Sequence, residues 1–128
     1  MLISPFTGRA VHGTQFVVVE WTAPPDPDWI APLHRHHQCD EAWYVLEGQL
    51  ELQVDGQLIS ATTGDLVWAK AGESHTYRNS GSAATRYLLI MTPKIMTLID
   101  AIHATPDRSR LVMARIFRDN DSEYLGFP

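Results

Sequence analysis

The sequence predicts an all-β fold, an antiparallel sandwich or barrel, with one or two α-helices at its C-terminal end. Three observations predict it. About eight short runs rich in β-branched and aromatic residues occupy the first ninety positions, turn signals separate them every few residues, and the hydrophobic period changes from 2 to 3.6 at Thr92-Pro93.

The runs follow in order. Phe16–Thr22 is rich in valine and aromatic residues, as strands are. Ala23–Asp28 carries three prolines, which lack the N–H a ladder needs, so it is expected as an ordered loop. His34–His37 and Glu41–Glu47 come next, the latter stopped by Gly48. Gln49–Val54 alternates, with Leu50, Leu52 and Val54 on one face and Glu51 and Gln53 on the other. Asp55-Gly56 is a two-residue hairpin signal, and Gln57–Ser60 pairs back. Gly64-Asp65 turns into Leu66–Ala69, Gly72-Glu73 into His75–Asn79, and Ala84–Met91 is the last expected strand. Thr92-Pro93 then reads as an N-cap with proline in the first helical turn. Ile95, Leu98, Ile99 and Ile102 make an amphipathic stripe. Thr105-Pro106 repeats the start signal, for a second helix lined by Leu111, Val112, Ile116 and Phe117. The tail from Asp119 is expected as a polar loop. Residues 1–128 are expected to form one domain, with the barrel at about 14–92, the helical segment at about 93–118 and the tail at 119–128.

Composition excludes several functions. The chain has 128 residues, a net charge of −5 and one cysteine, Cys39. A disulfide scaffold is excluded, and the acidic balance argues against a partner such as nucleic acid. No apolar run approaches the ~18 residues that span a bilayer. Met1–Pro5 shows neither a basic start nor a long apolar stretch, so no secretory signal and a cytoplasmic setting are expected.

The chemistry gathers in the histidines. On a strand, residues two apart share a face, so His34 and His36 can converge on one ion. Glu41 lies five residues beyond His36, an odd separation, and joins them only if the chain bends through His37–Asp40. His75 is the best candidate for a further nitrogen. Three imidazoles and a carboxylate suit a divalent transition metal ion (iron, manganese, nickel, copper, cobalt or zinc) rather than calcium or magnesium. Trp43 shares the parity of Glu41, and Tyr77 that of His75. With Leu50 they are the expected pocket residues, though an inward side chain also serves as core. His37 is expected to face outward, His12 and His103 to lie on the surface, and Cys39 to be a small filler.

The spacing resembles the two signature motifs of the cupin superfamily. The first runs Gly-x5-His-x-His-x3-4-Glu-x6-Gly; His34, His36, Glu41 and Gly48 fit, with Asp28 in place of the leading glycine. The second runs Gly-x5-Pro-x-Gly-x2-His-x3-Asn; Gly64, Gly72, His75 and Asn79 fit, with Lys70 in place of the proline. The resemblance implies an antiparallel double-stranded β-helix (the cupin jelly-roll barrel) and a metal in its mouth. It carries the family's ligand roles to His34, His36, Glu41 and His75. The helix after Pro93 and the ending Glu123–Gly126 look like the tails of small single-domain cupins similar to quercetin dioxygenases. The resemblance also implies a homodimer.

The expected function is that of a metal-dependent oxygenase acting on a small aromatic or enolisable molecule, with Glu41 as general base. A non-catalytic small-molecule binder, or a metal-dependent isomerase or lyase, uses the same constellation.

Overall fold

The structure, a computed structural model, describes residues 10–128. Met1–Pro5, read above for a leader, lies outside them. The strands are β1 (Ala10–His12), β2 (Val17–Ala23), β3 (His34–His36), β4 (Glu41–Glu47), β5 (Gln49–Val54), β6 (Gln57–Thr62), β7 (Leu66–Ala69), β8 (His75–Arg78), β9 (Thr85–Met91) and β10 (Ser122–Tyr124). The helices α1 (Pro93–His103) and α2 (Arg110–Asp119) lie between β9 and β10.

Two five-stranded antiparallel sheets face each other, ordered β1-β2-β9-β4-β7 and β10-β3-β8-β5-β6. This is a double-stranded β-helix. Alternation builds the interior. β4 turns in Glu41, Trp43 and Val45, β9 turns in Thr85, Tyr87, Leu89 and Met91, and β5 turns in Leu50, Leu52 and Val54. Two glycines are dictated by geometry. Asp55 and Gly56 both have positive φ, at 49° and 85°, as a type I′ hairpin demands. Gly48 has φ 103°, and a Cβ there would meet Thr85 Oγ1 at 2.6 Å, so a side chain is excluded twice over.

One departure from the family spacing, and one residue that keeps it, act on turns. Lys70, where the motif has proline, donates its N–H to Glu73 Oε1 at 2.8 Å, a bond that proline lacks the hydrogen to make. A capping carboxylate closes this turn instead of a ring. Asn79, fully buried, donates to the carbonyls of Ala23 and Ala83, each at 2.9 Å, and ties the loop after β8 to the end of β2.

Thr92 caps α1 by accepting from the Ile95 N–H at 3.3 Å, and the helix buries Ile95 and Leu98 as expected. Three expectations at the C-terminal end are corrected. Thr105-Pro106 starts no helix, because the Thr105 hydroxyl donates back to Ala101 O at 2.7 Å and closes α1; α2 begins after Ser109. Its anchors are Met113 and Phe117, one turn apart, while Leu111 is 82% exposed. The polar loop expected after Asp119 contains β10, which pairs Ser122 with His36 and Tyr124 with His34. Its three residues are too few for alternation to announce a strand. Among the described residues no helix is long and apolar enough to cross a membrane.

Candidate metal centre

His34 and His36 are the two inward residues of β3, and both are buried. β3 pairs with β10 on one side and with β8 on the other, where His34 stands opposite His75. The odd step to Glu41 is resolved by a change of sheet. The chain leaves β3 in one sheet at His36 and enters β4 in the other at Glu41, so the carboxylate arrives from the facing wall. One potential ligand atom from each of His34, His36, Glu41 and His75 lies within 4.8 Å of all the others. His36 Nε2 and His75 Nε2 each stand 3.0 Å from Glu41 Oε1.

The second nitrogen of each ring fixes what the first can do. His34 Nδ1–H donates to Pro32 O at 2.7 Å, and His75 Nδ1–H to Glu73 O at 3.0 Å. A carbonyl only accepts, so both Nδ1 atoms carry hydrogen. His36 Nδ1 meets Ser122 Oγ at 2.7 Å, and that hydroxyl donates onward to Asn120 O at 3.2 Å, so it accepts from the ring. In the neutral rings all three Nε2 atoms therefore present lone pairs. Two of these lone pairs face a carboxylate oxygen, an arrangement that repels unless a proton or a cation stands between them. A cation satisfies all four groups together. Each of the four residues offers a nitrogen or oxygen of the kind such ions take. The donor set fits a transition metal or zinc.

Electrostatics agree. His34 is pushed down to about 3 from 6.5, first by burial and then by the His75 and His36 rings beside it, so it is the neutral imidazole that binds metals. Burial acts to raise the Glu41 carboxyl, but without an ion the proton shared along its two 3.0 Å contacts with His36 and His75 outweighs burial and holds the group well below the usual carboxylate range.

The cluster opens into a cavity of about 530 Å³. Trp43, Tyr77, Tyr87 and Leu89 line it from the strands, and Ile95, Leu98, Met113 and Phe117 from the helices. Trp43 and Tyr77 thus lie on the wall where parity places them. Leu50 does not reach it. The β5–β8 register sets Val54 opposite His75 and Leu52 opposite Tyr77, so Leu50 lies farther from the ligand end, packed in the core at 1% exposure. Parity gives a side chain's face but not its depth along the barrel. His37, His12 and His103 are exposed, and Cys39 is half-buried against the core.

Sequence reasoning missed three residues that shape the site. Ser122 holds His36 from 86 positions away. Tyr87 hydrogen-bonds Tyr77 across the two sheets at 2.8 Å. Phe117 packs its ring 5.2 Å from that of His34. Only the last two carried a signal, Tyr87 as an inward residue of an alternating strand and Phe117 as part of a helical stripe.

Residues 22–91, more than half of the chain, match the family model described as "Cupin domain". The chain is 36% identical over 64 residues to quercetin 2,3-dioxygenase of Bacillus subtilis, covering 50% of this chain and 18% of that protein's length. It is 26% identical to an oxalate-binding protein of Thermotoga maritima, over 65% of this chain and 67% of that one. A crystal structure of a conserved double-stranded β-helix protein from Klebsiella pneumoniae superposes with TM-score 0.57 at 26% identity, covering 71% of this chain and 83% of that one.

Proposed function

The chain belongs to the cupin domain family, and from that premise we propose that it is a metal-dependent oxygenase of a small aromatic or enolisable molecule. The observation that supports this reading is the convergence of three imidazoles and a carboxylate on a cavity whose remaining walls are mainly aromatic and aliphatic. A divalent transition metal held by His34, His36, Glu41 and His75 would supply Lewis acidity and a site for O₂. Such a reaction balances between substrate and O₂, the substrate being oxidised and O₂ reduced into the product, with no further reductant.

The chain's own residues have defined tasks. The apolar walls bind the substrate body and exclude water. Glu41 is the base. As an ion ligand its oxygen is engaged; swung off the ion into the apolar cavity it would be free to take a proton from an enol or phenol, and burial there acts to raise its proton affinity. The lining is mainly apolar, with Thr22, Asp26, His103 and Arg108 as further polar members.

The test is O₂ uptake by protein loaded separately with each candidate metal, against flavonols, catechols and β-diketones. Uptake that disappears in Glu41→Ala supports the reading. Conversion without O₂ consumption replaces it with an isomerase or lyase. Ligand-dependent stabilisation with no turnover under any metal replaces it with a binding module.

A further inference from the structure

The cavity has a second polar feature besides the ligand cluster. Tyr77 on β8 and Tyr87 on β9 reach across the barrel from facing sheets, and their hydroxyls meet at 2.8 Å. Both residues are nearly fully buried, at 5% and 2% exposure, and both line the cavity. Beside them stands Trp43, its ring centre 5.6 Å from that of Tyr77 and 5.3 Å from that of His75. The three rings thus run from the ligand cluster along the wall.

This group has more donors than acceptors to receive them. Two phenols hold two hydroxyl hydrogens, and the bond between them uses one. Among the described residues the second hydroxyl hydrogen has no acceptor. The Trp43 Nε1–H, also buried, leans toward the Tyr77 oxygen without completing a hydrogen bond of good geometry. An unmet buried donor costs free energy, so an aromatic bridge serving only as packing is expected to be matched inside the core. These hydroxyls instead border open space. Water can serve them in the free protein, and a ligand oxygen can replace it.

We propose that the Tyr77–Tyr87 hydroxyl pair, backed by Trp43, is a second anchor that donates a hydrogen bond to an oxygen acceptor on the ligand. The ligand class is narrowed accordingly. It is an apolar, unsaturated body with two separate oxygen functions, one for the His34–His36–Glu41–His75 end and one for the tyrosines. This deepens the proposed function, since it rests on the cavity being the ligand site.

Acetophenone and α-methylstyrene test it. They have nearly the same shape, one with C=O and the other with C=CH₂, so their difference reports the hydrogen bond. Both are titrated into metal-stripped protein, followed by protein NMR, so that the outcome does not depend on the metal chemistry. The wild type is expected to prefer the ketone by roughly three- to tenfold, the worth of one net hydrogen bond. Tyr87→Phe and the double variant Tyr77→Phe/Tyr87→Phe are expected to keep α-methylstyrene binding and to lose the preference. The infrared carbonyl stretch of bound ¹³C-labelled acetophenone should lie at lower frequency in the wild type and rise in the variants, a change that loosened packing alone does not produce. Equal affinities in the wild type, or a preference that survives the double variant, overturns the proposal. Binding of neither probe overturns it together with the cavity's role. A ketone preference without O₂ uptake for any substrate leaves the anchor standing and removes the oxygenase.

Discussion

The ligand cluster is set by strand register, and the segment that covers it is set by a few buried side chains. His34 and His36 cannot leave the interior without shifting β3 against both β10 and β8, and a one-residue slip would turn them outward. Glu41 is fixed in the same way by the β4–β7 and β4–β9 ladders. The cover, α1 to β10, rests on Ile95, Leu98, Met113, Phe117 and Ser122. The barrel therefore decides whether an ion is held, while the cover decides what reaches it and how firmly one ring is aimed.

Removing a ligand probes this contrast most severely. Glu41→Ala or His75→Ala is expected to abolish stoichiometric metal, measured by elemental analysis after dialysis, because each deletes a whole donor from a site of four. The melting temperature of the metal-free variants should also fall, Glu41→Ala because it removes a carboxylate that the fold holds ionised and His75→Ala because it empties a buried position, so metal stoichiometry is the readout that decides. Full occupancy in either variant would remove the contrast at its barrel end. Phe117→Ala attacks the other region. Deleting a ring that is 1% exposed costs about 3–5 kcal/mol, roughly 10–20 °C of melting temperature at this size. Metal stoichiometry should survive, since Phe117 touches His34 but supplies no donor.

Acid separates the regions by another route. The folded His34 titrates at about 3 against 6.5 when free, so between these values the unfolded chain binds more protons. Stability of the metal-free protein should therefore fall as pH drops from about 6.5 toward 3. Glu41, held low in the fold, adds to the loss once pH passes below its unfolded value near 4.5. Circular-dichroism melts in chelator check this. Bound metal should steepen the loss, because the ion holds its ligands free of protons in the fold, and a melting temperature flat down to pH 4 would contradict the burial of a neutral His34.

Ser122→Ala lies where the regions meet. It removes the acceptor that fixes His36 Nδ1, and outer-shell partners of this kind are worth about 10–100-fold in metal affinity. A competition titration with a chromophoric chelator measures it. An unchanged affinity would mean that β10 positions the ring by packing alone.

The two regions also differ in how legible they were. The metal end could be read because strand parity and turn residues act over two to six positions, so His34, His36, Gly48, Gly72 and His75 announce themselves locally. Parity also placed Trp43 and Tyr77 on the wall, yet it failed for Leu50, whose distance from the ligands depends on the β5–β8 register. The C-terminal cover was poorly legible because its contacts are tertiary. Ser122 meets His36 across 86 positions, and the start of α2 was hidden by Thr105, whose hydroxyl was spent closing α1. The Gly64-Asp65 turn was legible too, and Asp65 accepts there from the Thr62 N–H at 2.8 Å.

Leu111 supplies the smallest and most discriminating test of the cover. It belongs to the apolar stripe expected from the sequence, yet it is 82% exposed, while Met113 and Phe117 hold the helix. Leu111→Ser removes no buried contact within the chain, so the change in stability should stay within about 0.5 kcal/mol, the range of ordinary surface substitutions. A null result in a thermal melt means that two side chains suffice to seat α2. A loss well beyond that range, growing with protein concentration, would mean that a second copy covers Leu111 in solution, and light scattering would show the dimer. In that case the cover would owe part of its stability to association, and the barrel would be the only region that stands on its own contacts.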